Sequence, residues 1–219
     1  MRLRHGADGI PGQAAPDPFL RLGEARLYVI TPDADPGRVM QIAIAAQRGG
    51  ADIVQLRHKT LRRGELLALA RDLRRALTRS LFIVNDHVDI ALLCEADGVH
   101  LGADDLSVES AREVAGDRLL IGASASTAEA VPPGADYVGC GPAFATPIKS
   151  AKPVIGPEGV AAMAAAVSIP LFAIGGIDES NIAQLTARGI HRACVIRAVA
   201  DAPDPEQATR RLRAMLDSR

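Results

Sequence analysis

The chain has little aromatic character, little lysine and no charge imbalance. Tryptophan is absent, and two Tyr and four Phe make up only 3% of 219 residues. So sparse a set argues against base-stacking platforms and aromatic cages for cations. A core must then come from Ala, Val, Ile and Leu. Lys and Arg number 25 against 26 Asp and Glu, a formal net charge of −1. That balance argues against wholesale binding of nucleic acid or an acidic membrane, while leaving room for a local cationic site. Only Lys59, Lys149 and Lys152 among the basic residues are lysines, which makes each of their positions worth inspecting. Cys94, Cys140 and Cys194 are odd in number, far apart and without C-x-x-C spacing. They predict buried free thiols in a reducing cytoplasm rather than a zinc site or a disulfide framework. The longest apolar stretch, Gly159–Val167, is far short of a membrane span. No apolar segment follows the charged start, so no secretory signal is read.

What remains is an ordinary globular composition, 48% hydrophobic and 23% charged, in a chain long enough to bury about 70% of its extended surface. Residues 1–24 lack periodicity and contain GIPGQAAPDP, which predicts a flexible leader. From Arg26 one rhythm repeats: a short β-branched run, a turn, then an Ala/Leu/Arg segment with helical spacing. Strands are predicted at Leu27–Ile30, Asp52–Leu56, Leu81–Val84, Gly98–Leu101, Leu119–Gly122, Asp136–Cys140, Pro170–Ile174 and Ala193–Ile196. Leu66, Leu69, Ala70, Leu73 and Leu77 form one face of a helix. Ala208, Leu212, Met215 and Leu216 form another, whereas Thr127–Val131 is too short for a full helix. Short apolar strands separated by helices imply a parallel sheet. Eight such units over residues 25–219 predict a single-domain (β/α)8 TIM barrel rather than an open doubly wound sheet.

A barrel carries its chemistry where strands end. The second strand ends in Gln55, Arg57 and Lys59; the third in Asn85 and Asp86; Asp105 follows the fourth and Ser124 the fifth. Thr146 and Lys149 follow the sixth, Gly175 and Gly176 the seventh, and Arg197 the eighth. Arg57, Lys59 and Lys149 with glycine backbone amides suit phosphate oxygens. Asp86 and Asp105 suit Mg2+, which takes one or two carboxylates together with water and phosphate oxygens. Together they describe a site for a magnesium-bound di- or triphosphate. Taken singly, each has a blander reading: Asn85 and Asp86 could cap the next helix, Asp105 sits where an N-cap belongs, and Gly175-Gly176 is a turn signal. His100 reads as a packed core histidine. His58, His87 and His191 share no metal-ligand spacing. GCGPAF is no dinucleotide fingerprint, and no P-loop or G-x-S-x-G elbow occurs. It is the convergence of seven strand ends that favours function.

VQLRHK, IVNDHVDIAL, ADGVHLGADDL, IGAS, ADYVGCGPAFATPIK and FAIGGI, in this order and spacing, resemble the thiamine-phosphate synthase family from about Arg26 to Leu216. The superfamily also contains thiazole tautomerases. The resemblance implies a TIM barrel joining 4-amino-5-hydroxymethyl-2-methylpyrimidine diphosphate to a thiazole phosphate, with release of pyrophosphate. Gln55, Arg57 and Lys59 would hold the pyrimidine and its diphosphate, with Asn85, Ser124 and Lys149 as further diphosphate ligands. Asp86 and Asp105 would hold Mg2+. Thr146 and Gly176, beside Gly175, match positions that bind the thiazole phosphate. The implied chemistry is a dissociative substitution that needs no general base. Its partners are small molecules, with homo-oligomer formation left open.

Four positions depart from the family. Ala103 stands for a frequent Gln, Ser126 for a His, Ile148 for the second hydroxyl of T-x-T-K, and Arg197 for a Ser. An arginine could hold the thiazole phosphate more strongly, whereas the other three exchanges remove hydrogen-bonding groups. Two rival functions follow: a thiazole tautomerase, and a non-catalytic barrel that binds a thiamine precursor and regulates a partner. The two carboxylates and the Arg57/Lys59 pair argue against the tautomerase, and nothing marks a partner surface.

Overall fold

Runs of three to six mostly β-branched and apolar residues form each strand of the computed structural model, which describes residues 17–146 and 153–218. The strands are β1 Leu27–Ile30, β2 Ile53–Leu56, β3 Leu81–Asn85, β4 Gly98–Leu101, β5 Leu120–Ala125, β6 Tyr137–Cys140, β7 Leu171–Ile174 and β8 Ala193–Val195. All pairs are parallel and consecutive, and β1 closes on β8 through Leu27↔Ala193 and Tyr28↔Cys194. The single-domain (β/α)8 barrel is therefore present. β5 runs through Ala125, past the expected end at Gly122, because β6 pairs with it as far as Ala125↔Cys140.

The outer layer holds α2 Pro36–Arg48, α3 Arg63–Ala76, α4 Val88–Leu93, α5 Val108–Ala115, α6 Gly156–Ala166, α7 Ile182–Thr186, α8 Arg197–Ala200 and α9 Pro205–Asp217. On α3 the buried residues are Leu66, Leu69, Ala70 and Leu73, the face read from the sequence. On α9 Ala208, Leu212 and Leu216 are buried as expected, together with Thr209. After β5 there is only a 3-10 turn at Ala128–Ala130, as the short Thr127–Val131 segment foretold. Between strands and helices lies one large apolar cluster, and a second fills the barrel interior around Tyr28, Ile53, Leu81, Tyr137 and Phe172. All three cysteines are buried, and none forms a disulfide.

One aspartate device recurs along the base of the barrel. Asp52, Asp97 and Asp136 each precede an even-numbered strand and reach back to the strand before it. They accept the backbone N–H of Leu27 at 2.9 Å, Phe82 at 2.7 Å and Ile121 at 2.6 Å. Each also pairs with an arginine, respectively Arg213, Arg74 and Arg112. These carboxylates fix strand ends opposite the chemistry, so they are structural.

The expectation of a flexible leader is corrected for its last residues, since Pro18–Glu24 forms a helix, α1; residues 1–16 lie outside the described residues. Asp17 accepts from the Phe19 N–H, and Pro18 occupies the first turn, where no intrahelical donor is needed. A helix of seven residues is marginal alone, and tertiary packing holds this one. Leu22 and the following Ala25 join the interior cluster with Tyr28 and Leu81. Arg21 bonds the Arg79 carbonyl before β3, while Arg192 donates to the carbonyls of Gly23 and Ala25. α1 thus spans the base of the barrel as a stopper.

Candidate active site

At the opposite end the strand termini converge in two lobes. In the first, the β1–α2 loop braces the segment after β2. Thr31, fully buried, accepts the Arg57 N–H at 3.1 Å. Asp33 receives the Arg57 guanidinium at 2.7 Å and the Lys59 backbone N–H. Its carboxyl is pushed up by burial, but the Lys59 N–H and the Arg57 charge outweigh this and hold it below the ordinary range. Lys59 extends its ammonium to Asp86. Asp86 follows Asn85, the last residue of β3, and has a φ of 64°. A non-glycine residue is held in that left-handed region only when its surroundings over-determine it, a recurrent feature of functional sites.

Asp86 and Asp105 hydrogen-bond one another through their carboxyls. Burial, then Asp105, pushes Asp86 up against the opposing pull of Lys59. Burial likewise raises Asp105, but the bond to Asp86 and the Gly102 N–H prevail and lower it. The two carboxyls are thus shifted in opposite directions, Asp86 up and Asp105 down. Asp105 does not cap a helix, contrary to the simpler reading of its position: it accepts the Gly102 N–H at 2.7 Å, and Ser107 caps α5. Nor do Asn85 and Asp86 cap α4, whose N-cap is His87 without a side-chain bond.

The second lobe is a cavity of about 690 Å³. Asp105, Ser124, Thr146, Gly175, Gly176 and Arg197 line it, so six of the expected residues meet there. Ala103 and Ser126 line it too, adding space where the family resemblance implies larger groups. Gly175 and Gly176 have φ of +100° and +66°. A Cβ on Gly175 would lie 2.6 Å from Pro142, and one on Gly176 would lie 2.5 Å from the Ala145 carbonyl. Only glycine fits this crossing of the loops after β6 and β7, so the pair is more than a turn signal. Arg197 is exposed and pairs with Asp201 at 2.9 Å. Lys149 and Ile148 lie outside the described residues.

Gln55, Arg57, Lys59, Asn85 and Asp86 are not among the residues lining this cavity. They belong to the first lobe, and Asp105 joins the two. Gln55 is buried inside the barrel mouth; its Oε1 is the one buried side-chain polar atom without a partner among the described residues. His58 is structural, with Nε2 on the Ala34 carbonyl at 2.9 Å and Nδ1 accepting from the Leu61 N–H. His100 is half-buried rather than fully packed, and it bonds both Tyr137 and Ser124. Among the described residues no cluster of three or more His, Cys, Asp or Glu could hold a metal, so any ion depends on the two aspartates and on its ligand.

Sequence reasoning missed Asp33, Tyr28 and Tyr137. The first was findable, because it follows β1 and only later strand ends had drawn attention. The tyrosines carried a weaker signal, as the only two in the chain, each at an inward-facing strand position.

A family model described as thiamine monophosphate synthase matches residues 27–199. The chain is 45% identical over 205 residues to a thiamine-phosphate synthase of Thermobifida fusca, covering 90% of this chain and 94% of that one. It is 43% identical over 198 residues to a thiamine-phosphate synthase of Thermosynechococcus vestitus, covering 88% of this chain but only 56% of the longer relative. Among solved structures, thiamine phosphate pyrophosphorylase from Pyrococcus furiosus superimposes with a TM-score of 0.80 at 37% identity, covering 90% and 98% of the two chains. The family pattern thus spans the barrel and both lobes of the site, and the chain belongs to the thiamine monophosphate synthase family.

Proposed function

We propose that the protein is a thiamine-phosphate synthase that couples 4-amino-5-hydroxymethyl-2-methylpyrimidine diphosphate to a thiazole phosphate and releases pyrophosphate. The observation carrying this reading is the junction at Asp105. It places a lobe of cations and carboxylates, Arg57, Lys59 and Asp86, against a roomy cavity bearing Ser124, Gly175-Gly176 and Arg197. One lobe suits a diphosphate and the other a second, phosphorylated substrate.

The residues present fit Mg2+. Two facing carboxyls that act on one another offer an all-oxygen donor set, which a divalent cation with diphosphate oxygens would suit. Bound there, Mg2+ supplies charge neutralisation of the departing diphosphate. The chain's own groups do the rest. Arg57 and Lys59 exchange Asp33 and Asp86 for diphosphate oxygens, Ser124 adds a hydroxyl donor, and Lys149 a further cation. Gln55 Oε1 awaits an N–H donor, which the pyrimidine amine provides. The C–O bond to the diphosphate breaks with its electron pair leaving on oxygen. The thiazole nitrogen lone pair then forms the C–N bond to the pyrimidine methylene. No proton is transferred at the reacting carbon, so no general base is required. Arg197, Thr146 and the Gly175-Gly176 amides align the thiazole phosphate.

No described helix is long and apolar enough to cross a membrane, and three buried cysteines outside any disulfide support a cytoplasmic setting. The test is to mix purified protein with both substrates and Mg2+ and to measure pyrophosphate and thiamine phosphate. Stoichiometric appearance of both is expected. No product, together with interconversion of thiazole tautomers, would replace synthase by tautomerase. Binding without turnover would favour the regulatory barrel.

A further inference from the structure

Five polar side chains run in single file through the barrel interior. Gln55 Nε2 donates to the Tyr28 hydroxyl at 2.6 Å, and the Tyr28 and Tyr137 hydroxyls are 3.0 Å apart. Tyr137 meets His100 Nδ1 at 3.2 Å, and His100 Nε2 meets the Ser124 hydroxyl at 3.0 Å. Both tyrosines are fully buried, and burial pushes their pKa values well above the ordinary range, so both keep their protons. The file is sterically built in. Gly122 pairs with Tyr137 across β5 and β6, and a Cβ on Gly122 would lie 2.0 Å from the Tyr137 ring. Only the missing side chain lets the ring lie across the barrel axis toward Tyr28 and His100.

Each hydroxyl in the file has one proton, so the direction of one link dictates the next. With the Gln55 amide N–H on Tyr28, Tyr28 donates to Tyr137 and Tyr137 donates to His100 Nδ1. His100 then carries its proton on Nε2 and donates to Ser124, whose own proton is released toward the cavity. Turning the Gln55 amide reverses every link. Oε1 then accepts from Tyr28, His100 carries its proton on Nδ1, and Ser124 spends its proton on Nε2. In that state Ser124 offers the cavity only lone pairs, and Gln55 offers only an N–H.

We propose that this file is a directional relay that couples recognition of an amine at Gln55 to recognition of an anion at Ser124, with Tyr28, Tyr137 and His100 as positioning residues. It deepens the synthase reading and rests on it. A ligand amine needs Gln55 Oε1 facing it, and an anionic oxygen needs the Ser124 proton. Both demands select the same direction. The aminopyrimidine and diphosphate ends of one substrate therefore reinforce each other across the barrel, whereas a pyrimidine bearing an acceptor in place of the amine sets the file against the diphosphate.

Calorimetry on the whole chain tests the coupling with two separate probes, Mg2+-pyrophosphate and the uncharged 4-amino-5-hydroxymethyl-2-methylpyrimidine. In the wild type, saturating pyrophosphate tightens pyrimidine binding about fivefold or more, the lower end of ordinary coupling between sites. Tyr137→Phe keeps the ring and cuts the file at its centre. Each probe alone then binds within about threefold of wild type, while the mutual enhancement falls to about one. Nitrogen-15 shifts of His100 give an independent readout: pyrophosphate fixes the Nε2–H tautomer in the wild type but not in the variant. Tyr28→Phe cuts a neighbouring link and yields the same pattern, so the test survives misfolding of one variant. Absence of enhancement in the wild type, or its persistence in both variants, overturns the relay. If the wild type binds neither probe, the synthase reading itself fails and the relay falls with it.

Discussion

Asp33 is the place to perturb the site without touching a proposed ligand of the substrate. Its carboxylate does two opposed things. It anchors the Lys59 backbone N–H and so shapes the loop after β2, and it also occupies the Arg57 guanidinium that a diphosphate needs. A hydrogen bond to a charged group is worth about 1.5–3 kcal/mol. With the Asp33 side chain 35% exposed, about half of that, ~1–1.5 kcal/mol, survives solvent screening. Freeing Arg57 from a partly exposed ion pair returns only ~0.5 kcal/mol. The anchor wins, and Asp33→Ala weakens Mg2+-pyrophosphate binding by ~1 kcal/mol, about fivefold. Asp33→Asn keeps an acceptor for Lys59 while dropping the competing charge, so it binds at least as tightly as wild type. The assay is titration calorimetry of pyrophosphate, together with the KM for the pyrimidine diphosphate. Tighter binding by the Ala variant, or equal weakening in both, refutes the reasoning. Acid supplies a check on stability. Because the folded pKa of Asp33 lies below its unfolded value of about 3.9, the carboxylate's stabilisation is complete above that value. It is lost as pH falls through the folded value, so wild type and Asp33→Asn converge in stability below about pH 4.

Four further outcomes are expected. Asp86→Ala, or removal of divalent cations with a chelator, lowers thiamine phosphate formation at least tenfold in a coupled pyrophosphate assay, while circular dichroism shows the barrel intact; the loss of a stabilising group of this kind typically costs about 10²–10³ in rate. Arg197→Ala raises the KM for the thiazole phosphate about fivefold with kcat little changed, since an exposed charge-assisted bond contributes ~1 kcal/mol. Asp136→Ala leaves the Ile121 N–H without its acceptor, costing about 2 kcal/mol, and scanning calorimetry shows a Tm lower by about 4–8 °C. Gly122→Ala drives a methyl into the Tyr137 ring and lowers stability by about 2–3 kcal/mol in urea unfolding.

The barrel was legible because its physics is local and repeated. An apolar strand buried on both faces, followed by a helix with one apolar stripe, leaves a rhythm that every strand but β5 displays, and the strand ends follow from it. Asp86, Asp105, Ser124 and Arg197 could be found by that rule alone. What stayed hidden depends on contacts far apart in sequence. Nothing near Tyr28 announces that it meets Tyr137, 109 positions away, and Gly122 looks like any strand glycine until a ring fills its space. α1 escaped notice for the opposite reason. Its Asp17-Pro18 start is a fair helix signal, but seven residues are too few to show a period, and Leu22 finds its partners only in the assembled barrel.

Closure of β1 on β8 has a consequence for synthesis. The partner of Leu27 is Ala193, and the arginine that pins the stopper, Arg192, comes immediately before it. At ribosomal speeds the first strand waits on the order of 10–30 s for the last to emerge. Throughout that time one side of β1 is an open template for other nascent chains. A chain halted before residue 192 keeps that edge bare and its base incompletely pinned, a fault that a missing outer helix alone would not create. The strand farthest from the start of the message is therefore the one that makes the first strand safe.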